Sequence, residues 1–218
     1  MVKKTVIGSF ICAYKYKKQI AQATVIPILL SFLIKWSLVF INDPFLTVAL
    51  LLPQVVLPAI VAINVHRLVV NGENSIPKWG RLLPGKIELW FIGHSILIFA
   101  TFLPLVLLSG LGASPVVLLS FLVLIILPLV CRLSIVFPAI AIGKGVSFQY
   151  AWRVSKGHTA YLCGVMLLIS LSLMVVILPI TLLTSSLLLL GVIGQIAGIV
   201  MIISLSLAYT HVVKDQQK

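Results

Sequence analysis

Charge is what this sequence lacks. Of its 218 residues only 9% are charged, against about 25% in an ordinary soluble domain. Asp43, Glu73, Glu88 and Asp215 are the only carboxylate side chains. A water-facing surface cannot be built from so few ionisable groups, and a disordered or fibrous chain is excluded for the same reason. Acid–base hydrolysis usually needs paired carboxylates, and two of the four lie in a turn and the tail. Cysteine is scarce as well. Cys12, Cys131 and Cys163 form no CxxC, and each lies in or beside an apolar run as a small packing residue. His66, His94, His158 and His211 stand alone, without the HxxxH, ExxH or Cys/His spacings of ligand clusters, so no metal is expected. Neither GxxxxGK[ST] nor GxGxxG occurs. With no reaction centre and no cofactor motif, an enzyme is not expected.

What is there is hydrocarbon. The chain is 61% hydrophobic, with a mean hydropathy of +1.23. A helix needs about 20 mainly apolar residues to cross a bilayer core. Six segments reach that length, at about 24–42, 45–66, 87–109, 115–138, 160–183 and 187–210. Lipid offers the backbone no hydrogen bonds, so helices are the default, and the runs are too long and uniform for barrel strands. The fold class is therefore an all-α polytopic transmembrane bundle of six spans with short amphipathic interfacial helices. Asn42-Asp43-Pro44 and the Gly/Ser run before Pro115 supply turns with helix-starting prolines. Thr184-Ser185-Ser186 is the best turn in the uncharged stretch 159–213.

The basic residues give orientation. Of 16 lysines and arginines, only Lys35 and Arg132 fall inside a span. The others gather before the first span, after the second, after the fourth and in the tail, and the three alternate turns have none. The positive-inside rule then puts both termini in the cytoplasm. A net charge of +12 would suggest nucleic acid on a soluble fold, but here it points to topology and anionic lipid.

Residues 1–23 form a retained amphipathic segment, because lysines follow the short apolar run where a signal peptide would show small residues. Val6, Ile7, Phe10, Ile11 and Tyr14 recur there at helical spacing. A second interfacial helix is predicted over 147–157, with Phe148, Ala151, Trp152 and Ser155 on one face. Lys15, Lys17, Lys18, Arg153 and Lys156 are the candidate headgroup contacts. The domain 24–213 holds the spans, and 214–218 is a cytoplasmic tail.

Ionisable groups in lipid are costly and need partners. Arg132 is predicted to pair with Glu88, about 7–8 Å away in depth, the alternative being extension to the interface. Lys35 either extends toward Asp43 or joins a polar cavity with Gln54, Asn64, His94 and Gln195. Ser114 and His211 fall at opposite faces, ~30 Å apart, which excludes a serine–histidine pair. Gly191, Gly194 and Gly198 allow close helix packing, within the chain or against a second copy or membrane partner.

Two longer stretches carry a resemblance. His66-Arg67-Leu68-Val69-Val70-Asn71-Gly72-Glu73, with Pro77 following, closes the second span. Arg132 through Gly143, including Pro138, closes the fourth and leads into Ala151-Trp152-Arg153-Val154-Ser155-Lys156-Gly157. The layout resembles uncharacterised bacterial multi-pass inner-membrane proteins of the YciC-like type and the membrane domain attached to some glycerophosphodiester phosphodiesterases. No catalytic domain accompanies it, so phosphodiesterase activity is not carried over. The resemblance implies a bacterial inner-membrane location and leaves the role open. The expected function is a non-enzymatic membrane protein acting through lipid or protein contacts at the cytoplasmic leaflet. The alternative is a small transporter or channel-like component.

Overall fold

A computed structural model describes residues 1–184 and 186–216. It is all-helical among the described residues, with six helices long and apolar enough to cross a membrane. Helix α1 is Val2–Lys15, and after a corner at Tyr16 the first span is α2, Lys17–Leu38, which extends back ahead of residue 24. The second span is α3, Pro44–Asn71. Asp43 caps it, accepting from Leu46 N at 2.9 Å, with Pro44 as its first residue.

Proline sets the breaks in the next two spans. The third is α4, Lys86–Ala100, and α5, Leu103–Gly110, joined by a turn where Pro104 has no N–H for the Ala100 carbonyl. The fourth is α6, Pro115–Phe121, a π-turn over Leu122–Ile126, α7, Leu127–Leu133, and α8, Val136–Ala141. Pro128 follows the π-turn, and Pro138 follows the break at Ser134-Ile135. A short α9, Phe148–Val154, precedes the last two spans, α10, Thr159–Leu183, and α11, Leu187–Asp215. Ser186 caps α11, and Ser185 of the expected turn lies outside the described residues.

Helices α3 and α11 form the centre. α3 packs on α2, α4, α8 and α11, while α11 packs on α1, α3 and α10. Even passes bring both termini to one end, which also carries the basic segments. Among the described residues, buried side chains are confined to that half. Among the described residues no buried side chain occurs in 32–58, 99–125 or 170–199. The burial boundary falls near the midpoint of every span. Small residues explain it: Ala23, Ala59, Ala62, Ala139, Ala141, Ser204, Ser206 and Ala208 are buried in the basic half and let backbones approach. Large side chains dominate the far half and face outward, among them Phe45, Leu52, Phe99, Val116 and Val175.

The first helix differs from an independent interfacial segment. α1 docks on α10 and α11 through Val6 and Ser9, with Thr5 Oγ1 and Tyr161 Oη 2.8 Å apart. Val6 therefore leaves the expected stripe for the core, while Ile7, Phe10, Ile11 and Tyr14 stay exposed.

Candidate functional site

Three polar arrangements gather at the basic end.

Pro27 creates the first. It has no N–H, so the carbonyl four residues back, Ala23, loses its helical partner. Asn64 on α3 replaces it, donating Nδ2 to Ala23 O at 3.1 Å and to Arg81 O at 3.2 Å. Arg81 N donates back to Asn64 Oδ1 at 3.0 Å. One buried amide thus ties the first span, the second span and the loop between α3 and α4. The loop meets α2 at Gly80, with φ +72°, where a Cβ would lie 2.5 Å from Ala23 O.

The second arrangement surrounds Glu88. Its Oε2 accepts from Gly85 N at 2.8 Å and closes the first turn of α4. Its Oε1 lies 3.7 Å from Arg81 Nε, and the carboxylate is buried. Arg67 donates Nε to the Ala141 carbonyl at the end of α8.

The third holds α9. Arg132 donates Nη2 to Trp152 O at 2.6 Å and Nε to Ser155 Oγ at 3.0 Å. Its guanidinium stacks 3.5 Å from the centre of the Trp152 ring. Gln216 Nε2 donates to Val154 O at 2.8 Å. A helix end leaves its last carbonyls unpaired, and a cation there also meets the negative end of the dipole. Arg132 and Gln216 do for α9 what its own seven residues cannot. Phe148 packs 4.7 Å from the His94 ring, and Ala151 is fully buried. Tyr150 Oη sits 3.3 Å from Tyr209 Oη, and burial pushes the Tyr150 hydroxyl up to about 12.

These contacts correct the predicted Arg132–Glu88 pair. Each side chain takes a nearer partner, since Glu88 turns back on its own helix start and Arg132 reaches the backbone of α9. The stretches His66–Glu73 and Arg132–Gly143 meet through Arg67 and Ala141.

The intramembrane polar candidates do not converge. Lys35 is exposed on the outer surface of the bundle. Gln54 is occupied on α2, accepting from Ser31 Oγ at 3.0 Å and donating to Ser31 O at 2.8 Å. Asn64 is the clamp described above. His94 Nδ1 lies 2.8 Å from Trp90 O, in its own helix. Gln195 is half-buried on α11. The shared cavity, one of the two alternatives for Lys35, is absent among the described residues, because each polar group meets a different neighbour.

The headgroup candidates Lys15, Lys17, Lys18, Arg153 and Lys156 are all exposed at the basic end. Gly191 packs against the Phe32 ring, where a Cβ would lie 2.7 Å from Cε1. Gly194 and Gly198 have open space where a Cβ would stand, so the close packing expected of all three is made within the chain by Gly191 alone among the described residues. Sequence reasoning missed Arg67, Arg81, Ser31, Ser206 and Gln216. Ser206 Oγ lies 2.7 Å from His66 Nδ1. The i−4 rule applied to Pro27 points to the unpaired Ala23 carbonyl, and Asn64, already a polar candidate, is its partner. Compared with protein families, with curated proteins and with solved structures, the chain matches none.

Proposed function

We propose that this multi-pass membrane protein is non-enzymatic and works at the cytoplasmic leaflet of a bacterial inner membrane, binding acidic lipid headgroups with its basic end inward. The observation that carries this reading is the joint placement of two docked surface helices. α1 presents Lys3, Lys4 and Lys15 beside exposed Ile7, Phe10 and Ile11, and α9 with the turn after it presents Trp152, Arg153 and Lys156. Cations beside apolar side chains suit an interface with anionic headgroups. Both helices are anchored to the tightly packed half, so their charges are held at fixed positions rather than on loose tails.

Transport is the weaker reading. A cavity of about 530 Å³ lies near mid-depth between α3, α4 and α11, and its polar side chains are already bonded. Gln54 is taken by Ser31, and Ser95 donates to Phe91 O at 2.9 Å.

The test has two parts. Reporter fusions should put residues 110–114 outside and 143–157 in the cytoplasm. The purified chain should gain thermal stability from acidic phospholipid and much less from zwitterionic lipid, as ligand linkage requires. Arg153→Gln with Lys156→Gln should reduce that gain. Equal stabilisation by both lipids, or reporters in a single compartment, overturns the proposal.

A further inference from the structure

We propose that a groove between α2 and α11 is a binding site for one acyl chain of an acidic phospholipid from the basic-end leaflet, its phosphate held by Lys17. This rests on the leaflet reading above and names the lipid, the groove and the cation.

The groove has a volume of about 420 Å³, and Ala13, Ala21, Ile28, Leu29 and Ile196 are among its walls. Thr24 is the other polar residue there, and its hydroxyl is turned back to Ile20 O at 2.8 Å, so that wall offers no free hydrogen bond. Lys17 is the single charged residue of the lining and stands at one end. Its Nζ lies 4.2 Å from the centre of the Tyr14 ring, which holds the ammonium at the mouth by cation–π attraction. At the other end Phe32 closes on Gly191, and only glycine leaves room for that ring.

The result is an amphiphilic slot with a cation at one end, hydrocarbon walls and the Phe32 ring at the other end. Charge and length select the occupant. From Lys17 to Phe32 α2 rises by about 22 Å at 1.5 Å per residue. One leaflet with its headgroup layer is ~20–22 Å, half of a 40–45 Å bilayer. A second copy of the chain would bring another apolar helix and would leave Lys17 without an anion.

Native mass spectrometry of the full-length protein, extracted in mild detergent and offered phosphatidylglycerol or phosphatidylcholine, tests this. The wild type should retain one phosphatidylglycerol per chain. Lys17→Gln should lower its preference for that lipid about fivefold, the ~1 kcal/mol that one lysine contributes near an anionic surface. Leu29→Trp and Ile196→Trp replace exposed residues, so the fold is kept, which circular dichroism checks; each should displace the lipid. Retention of the lipid by both tryptophan variants, with unchanged preference, overturns the groove assignment. The broader reading then survives if the thermal gain from acidic lipid persists and still responds to Arg153 and Lys156. A dimer mass that Ile196→Trp abolishes would instead make the groove a seam between two copies and overturn the lipid. Absence of retained lipid in the wild type also overturns it.

Discussion

Removing Arg132 should release α9 from the bundle. The side chain makes two charge-assisted hydrogen bonds, to Trp152 O and Ser155 Oγ, and stacks on the Trp152 ring. Taking ~1.5 kcal/mol for each bond and ~0.5–1 for the stack, Arg132→Ala should cost about 3.5–4 kcal/mol of local stability. Lysine keeps the charge but loses the fork and the planar stack, so Arg132→Lys should cost about half as much. The assay is amide hydrogen exchange of 148–157 in lipid nanodiscs. At 1.4 kcal/mol per decade, Arg132→Ala should lower protection there by roughly 10²–10³-fold. The outer halves of the spans should exchange as before. Double-mutant cycles separate this from the predicted carboxylate partner: Arg132→Ala with Ser155→Ala should couple by about 1 kcal/mol or more, and Arg132→Ala with Glu88→Ala should add. Unchanged protection of α9 in Arg132→Ala, or strong coupling to Glu88, refutes the reasoning.

Three further outcomes are expected. Gly80→Ala should destabilise well beyond the ~1–2 kcal/mol of a left-handed backbone, because its Cβ would meet Ala23 O at 2.5 Å; Gly143→Ala, with φ +83° and open space around it, should cost only the backbone part, and thermal unfolding in detergent compares them. Asn64→Ala leaves the Ala23 carbonyl and the Arg81 N–H unpaired and should cost at least ~2 kcal/mol; Pro27→Ala returns an N–H to that carbonyl, so the double variant should be more stable than additivity gives. Tyr150 has its folded-state value raised to about 12 from an ordinary 10.0, so its contribution is complete below pH 10 and declines as pH rises toward 12. Tyr150→Phe should therefore flatten that alkaline loss, with tyrosinate absorbance confirming late ionisation in the wild type.

By itself the sequence determined the medium and the number of crossings. Apolar length is a local property, and each span of about 20 residues must satisfy its own backbone wherever its neighbours stand. The helix starts at Pro44 and Pro115 were legible for the same reason, being set within one turn of chain. Helix rotation about its own axis is not local. It depends on which small residues let backbones meet, and only the tertiary structure decided it. That rotation sent Gln54 to Ser31, Asn64 to the carbonyl freed by Pro27, and Lys35 outward, so the five polar residues share no cavity among the described residues. It also turned Arg132 toward an α9 carbonyl 20 positions along the chain and left Glu88 closing its own helix. Long side chains reach whichever partner packing brings within about 3 Å, and sequence spacing does not carry that distance.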